Sequence, residues 1–210
     1  MTRFAGADPG FSGAIALLTE DGRDIERVWP VITYLNYSPS EMKKKDPKKR
    51  KSTKLLDVKA MAIMFSELDS YSNVFLALET VSPRGNDAAT VAWKLGGSYM
   101  AMLQALQYTS ISVVNKEICT PSHWKKIYPE LNGIGGGIED RRLRMNIVDD
   151  KTIESVQELF PNSWQKICPP HKSRAGVFNA PNPNWADAVL LANYAKHCYE
   201  GSLIDSAKVA

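Results

Sequence analysis

The sequence predicts an α/β fold, a mixed β-sheet flanked by α-helices, from three observations. Two short apolar runs, Phe4 to Ala7 and Ala14 to Leu18, are separated by the turn-rich DPGFSG and read as adjacent antiparallel strands, with Asp8 closing the first. Residues Val74 to Val81, VFLALETV, are nearly all apolar, as expected of a central strand covered on both faces. Beyond that strand, helical periodicity alternates with one more strand-like run.

The remaining elements follow from local pattern. A third strand is expected at Ile25 to Ile32, followed by a polar, basic loop to about Ser52. Leu55, Val58, Met61, Phe65 and Leu68 have amphipathic helical spacing. A second helix runs from Thr90 to Leu106, interrupted by Gly96 and Gly97, a pair that suggests close approach of another backbone or of a dimer partner. Ser110 to Val114 reads as a strand, and Pro121 as the first residue of a helix capped by Thr120. NGIGGGI, residues 132–138, lacks the Lys-Ser/Thr of a phosphate-binding P-loop and reads as a loop. Helices at about Asp149 to Phe160 and Asn184 to Cys198 complete the chain, with a loop between them.

At 210 residues this is the length of one domain with a full core, residues 1–210. The formal net charge of +3 is too small to indicate a nucleic-acid partner, but its distribution is uneven. A basic loop at about 38–54 contains KKKDPKKRKSTK, in which Lys43, Lys44, Lys45, Lys48, Lys49, Arg50, Lys51 and Lys54 face the single acid Asp46. Such a run is either a solvated loop or a contact for DNA phosphates. The three cysteines, Cys119, Cys168 and Cys198, contain no CxxC pair and suggest reduced thiols in a cytoplasmic setting. With His123 and His171 they could in principle hold zinc, although the spacing fits common zinc modules poorly. Apolar stretches are too short for a membrane span.

Three acids sit within or beside strongly apolar elements: Asp8 after FAGA, Glu79 in VFLALETV and Asp187 in NWADAVLLANYA. Burying a carboxylate is costly unless it meets a cation, hydrogen-bond donors or a metal. Each also has a structural reading: Asp8 as organiser of its turn, Glu79 as partner of a lysine, Asp187 as a favourable charge in the first turn of a helix.

Taken together, GADPGFSGAIALL, LALETV and WADAVLLANYA resemble, in order and setting, the RuvC family of Holliday-junction resolvases, particularly its phage-type members. VVNKEICTPSHWKKIY and DDKTIESVQELFP are similar to further segments of that family, so the resemblance covers about half of the chain. It implies a ribonuclease H-like fold and a structure-selective endonuclease, a homodimer acting on four-way and other branched DNA in a bacterial or phage-infected cell. The implied cofactor is a pair of Mg²⁺ ions per subunit, with Mn²⁺ able to substitute, held by Asp8, Glu79 and Asp187. The family usually carries an acid or histidine three residues before the last aspartate, where this chain has Asn184, so the resemblance also admits a catalytically weakened junction-binding protein. It further implies that Lys125 and Lys151 approach the DNA backbone. Where the family often has a stacking aromatic this chain departs from it with SPRGND, in which Arg84 could contact phosphate or stack its guanidinium plane, and Lys126 is a further candidate DNA contact. An actin-like ATPase shares the Asp-x-Gly turn but needs a longer chain and a second such turn.

Overall fold

A computed structural model describes residues 2–47, 53–71, 73–81, 89–109, 116–132, 134, 137–173 and 176–209. Its centre is the expected mixed sheet, with strand order β3-β2-β1-β6-β7: β1 (Arg3–Ala7), β2 (Ala14–Leu18), β3 (Ile25–Pro30), β6 (Val74–Glu79) and β7 (Lys116–Cys119). β1 and β2 form an antiparallel hairpin and β3 adds antiparallel to β2. β6 and β7 continue the sheet in parallel from the other edge of β1.

Alternation along the strands divides the core in two. Ala5, Ala7, Ile15, Leu17, Leu76 and Leu78 face α2 (Val58–Asp69) and α3 (Ala89–Gln107). Phe4, Ala14, Ala16, Leu18 and Ala77 face α6 (Pro183–Val209), with α4 (Pro121–Trp124) and α5 (Arg141–Leu159) packed beside it. The same period of two carries Gly6 and Asp8 of the first strand, and Glu79 of β6, to the α6 side.

α6 lies directly on β1. A Cβ on Gly6 would stand 2.2 Å from the Ala188 carbonyl oxygen and 2.3 Å from the Ala192 nitrogen. Glycine is therefore required there, and the first strand and last helix meet backbone to backbone. Gly13 is equally constrained, its virtual Cβ lying 2.2 Å from the Asp8 carbonyl oxygen, which closes the DPGFSG turn tightly.

The structure departs from the sequence reading in several elements. The segment expected to be a loop after Ile32 contains an antiparallel ladder of β4 (Thr33–Asn36) and β5 (Thr53–Leu56), and a short helix, α1 (Pro39–Met42). The first long helix consequently starts at Val58, not Leu55, with the Asp57 carboxylate accepting from the Ala60 N–H as its cap. α5 begins at Arg141, capped by Asp140, and α6 continues to Val209. The loop before α6 contains another short antiparallel pair, β8 (Pro170–Ser173) and β9 (Gly176–Asn179). The strand expected at Ser110 to Val114 lies outside the described residues, as does part of NGIGGGI. Thr120 occupies the N-cap position of α4, but its hydroxyl pairs with that of Ser122 and does not cap the helix. Among the described residues Gly96 and Gly97 accommodate no close neighbour, since a Cβ on either meets nothing within 4 Å.

These two kinds of glycine give opposite expectations. Gly6→Ala should cost about 3 kcal/mol or more, because backbone atoms cannot yield to it. Gly97→Ala should stabilise by up to about 1 kcal/mol through helix propensity. Urea denaturation of the two variants measures both.

Candidate active site

The parallel register sets Ala7 opposite Leu78, so Asp8 and Glu79 follow side by side at the carboxyl ends of neighbouring strands. In open α/β sheets that end is where ligands bind. Asp187, in the second turn of α6, completes the group from above, and the contact over Gly6 puts it there. All three residues are half-buried.

Each carboxylate is held by part of its surface. The Gly10 N–H donates to Asp8 Oδ1 at 2.9 Å, so the turn-organising role read from the sequence is real and engages one oxygen. Trp124 Nε1 donates to Glu79 Oε2 at 2.9 Å. Lys125 Nζ lies 3.3 Å from Asp187 Oδ1 as an ion pair. That oxygen is buried, and the Lys125 charge is what faces it, with no hydrogen bond to it among the described residues.

TPSHWKK explains why these two donors arrive together. Pro121 opens α4, Trp124 is fully buried at its end, and residues 125–127 tighten into a 3₁₀ turn. Trp124 stacks edge-on against Tyr128, whose hydroxyl donates to the Leu190 carbonyl of α6 at 2.7 Å. Lys125 lies over the Trp124 ring, its nitrogen 4.9 Å from the centroid. The segment is thus locked to α6 on one side and presents an indole N–H and an ammonium to the acids on the other.

Electrostatics mark the cluster as strained in the absence of a cation. Burial, then repulsion from Asp8 and Asp187, pushes Glu79 up to about 8, against the Trp124 hydrogen bond. Burial pushes Asp8 up to about 6, opposed by the Gly10 N–H and reinforced by Asp187. Asp187 is also raised, chiefly by burial, with Lys125 opposing. A fourth acid takes part: the charge of Asp149 on α5 raises Asp187, and Asp149 itself is raised by burial. In the sequence Asp149 stands out only as a helix start. Its spacing from the buried Thr152 and Val156 (i, i+3, i+7) is the signal that it lies on an inward stripe.

The other sequence candidates are more dispersed. Asn184 shares the α6 face of Asp187, and its N–H and side-chain amide both approach Asn182 Oδ1, at 3.0 and 3.4 Å. Lys151 is exposed on α5 and pairs with Glu154; the lysine charge felt by the carboxylates is that of Lys125. Lys126 is exposed. Lys43, Lys44 and Lys45 are exposed beyond β4, with Lys44 bonded to Glu41 at 2.8 Å. Lys48, Lys49, Arg50, Lys51 and Arg84 lie outside the described residues. Burial pushes the Cys119 thiol up to about 12, which makes it a poor metal ligand at neutral pH.

Oxygen donors of this kind suit a hard divalent cation. Among the described residues no group of three or more His, Cys, Asp or Glu side chains is spaced to hold an ion.

Compared with solved structures, the chain matches RuvC of Thermus thermophilus in complex with Holliday junction substrate at a TM-score of 0.52, covering 97% of this chain and 96% of that one at 13% identity. This chain has the RuvC fold. A Thermus thermophilus RuvC structure matches at a TM-score of 0.48 and 16% identity, over 96% of each chain. No protein-family model matches, and no curated protein does. At such identities the likeness concerns the RuvC-like, ribonuclease H-type architecture alone, in which the five-stranded mixed sheet is shared.

The raised carboxyl groups predict a pH dependence. The folded protein retains protons that the unfolded chain releases above about pH 4, so stability falls as pH rises through about 6 and 8. Each tenfold difference in proton affinity corresponds to about 1.4 kcal/mol. Melting curves in EDTA should therefore show a midpoint that declines from pH 5 to pH 8, and Glu79→Gln should flatten the decline above pH 6.

Proposed function

We propose that this protein is a metal-dependent, structure-selective endodeoxyribonuclease, a homodimer that resolves four-way junctions and other branched DNA by phosphodiester hydrolysis in the cytoplasm. The observation that carries the reading is the convergence of Asp8, Glu79 and Asp187 from two parallel strand ends and a facing helix. Such a group of repelling, half-buried acids gains most from a divalent cation. The RuvC fold, seen in the Thermus protein in complex with Holliday junction substrate, supports the choice of substrate.

Asp8, Glu79 and Asp187 would hold two Mg²⁺ ions, or Mn²⁺ in their place, with the Asn184 carboxamide oxygen available beside them. Held there, such ions would supply Lewis acidity for an in-line phosphodiester displacement. The chain's own groups prepare that chemistry. The Gly10 N–H and Trp124 Nε1 each fix one oxygen of a carboxylate and leave the other free. Lys125 balances the charge of Asp187 and can neutralise a phosphate that approaches it. Asp149 supplies, from α5, negative charge that Asn184 does not carry. Lys43, Lys44, Lys45 and Lys126 are exposed cations for the arms of the substrate, and Lys48, Lys49, Arg50, Lys51 and Arg84 extend that set in sequence.

The test is a labelled four-way junction beside a matched linear duplex, in Mg²⁺, Mn²⁺ and EDTA. Junction-selective nicking lost in EDTA is expected, with Asp8→Asn, Glu79→Gln and Asp187→Asn each lowering the rate about a hundred-fold or more. Lys125→Met should lower cleavage with little effect on binding, whereas Lys151→Met should leave both within a few-fold. Asn184 favours a second reading, a junction-binding protein of weak activity; cleavage restored by Asn184→Asp would select it. A wild-type protein that neither binds nor cuts the junction contradicts both.

A further inference from the structure

We propose that the cavity between the β4–β5 ladder, the Asp8–Gly13 turn and α3 receives one unstacked base of the branched DNA; this rests on the nuclease reading and names the feature of the substrate that is recognised. The cavity measures about 160 Å³ and is lined by Phe11, Tyr34, Leu55, Trp93, Lys94 and Gly97, among others. Three aromatic rings from three separate elements therefore face one small space. Trp93 is 69% exposed and Tyr34 49%, and among the described residues neither ring, nor that of Phe11, packs on another. Large rings left in water around a concavity indicate something that covers them.

Charge selects the occupant. Lys94 lines the cavity beside Trp93, and Lys54 Nζ donates to the Phe11 carbonyl at 3.3 Å, so two ammonium groups border the rings. Aromatic faces bordered by cations suit a nucleobase, whose plane stacks while its flanking phosphates meet the charges. A second copy docked symmetrically on this patch would set the same cations against each other. Phe11 is three residues from Asp8 in the same tight turn, so the cavity lies at the strand end that carries Asp8, on the α3 face of the sheet. Gly97 keeps one wall open, since a Cβ there meets nothing within 4 Å. Base pairs in a linear duplex cannot enter, whereas bases at a branch point unstack cheaply. The site thus selects structure without selecting sequence.

The experiment uses the full chain in EDTA with four-way junctions carrying 4-thiothymidine at the crossover. Photocrosslinks should map to Phe11, Tyr34 or Trp93. Trp93→Ala, and Gly97→Leu as a cavity-filling variant in an otherwise unobstructed helix position, should each weaken junction binding roughly 5- to 150-fold, with linear-duplex binding unchanged. Circular dichroism establishes that both variants fold. Wild-type junction binding that neither substitution alters, or a Trp93→Ala variant that turns a dimer into a monomer, overturns the base-pocket assignment while leaving the nuclease reading intact. Absence of junction binding by the wild-type protein overturns both.

Discussion

The backbone contact between β1 and α6 at Gly6 is the constraint on which the rest of the structure depends. With Ala188 and Ala192 within 2.3 Å of where a Cβ would sit, the last helix lies directly over the first strand. Asp187 then stands above the strand end that carries Asp8. Parallel pairing of β1 with β6 adds Glu79 at the same level, and alternation along both strands turns the two acids toward the helix. No long-range charge attraction assembles these groups; they are brought together against their repulsion by apolar packing on both faces of the sheet.

The surrounding residues show how that repulsion is tolerated. A backbone N–H, an indole N–H and an ammonium each meet one carboxylate, yet Glu79 and Asp8 remain far easier to protonate than free carboxyl groups. The compensation is partial, which is the condition of a site whose charge is completed by a ligand. The TPSHWKK segment serves the site twice: Trp124 and Tyr128 fasten it to the core and to α6, and Trp124 and Lys125 then reach the acids.

Much of this was legible in the sequence because burying an acid is expensive. Asp8, Glu79 and Asp187 were conspicuous as charges within apolar runs, and the order of strands and helices gave the α/β class. The β4–β5 ladder was not legible, since TYLN and TKLL are only four residues long and Leu55 also fits the helical spacing of the segment that follows. Asp57, a good N-cap, was the available sign of the true helix start. Asp149 was overlooked because α5 was begun eight residues late; Asp140 capping Arg142 and Leu143 marks its actual start. The aromatic cavity could not be read at all, because Phe11, Tyr34 and Trp93 meet only through tertiary structure.

As proposed above, the fold forces these acids together for a divalent cation to complete. Titrating the purified chain with Mn²⁺ and following the free ion by electron paramagnetic resonance measures this without DNA or catalysis. The account predicts saturable binding of up to about two ions per chain, strengthening from pH 6 to pH 8 as the carboxyl groups ionise and lost in Asp8→Asn and Glu79→Gln. Binding that is absent in the wild-type chain, or indifferent to both substitutions, would contradict it.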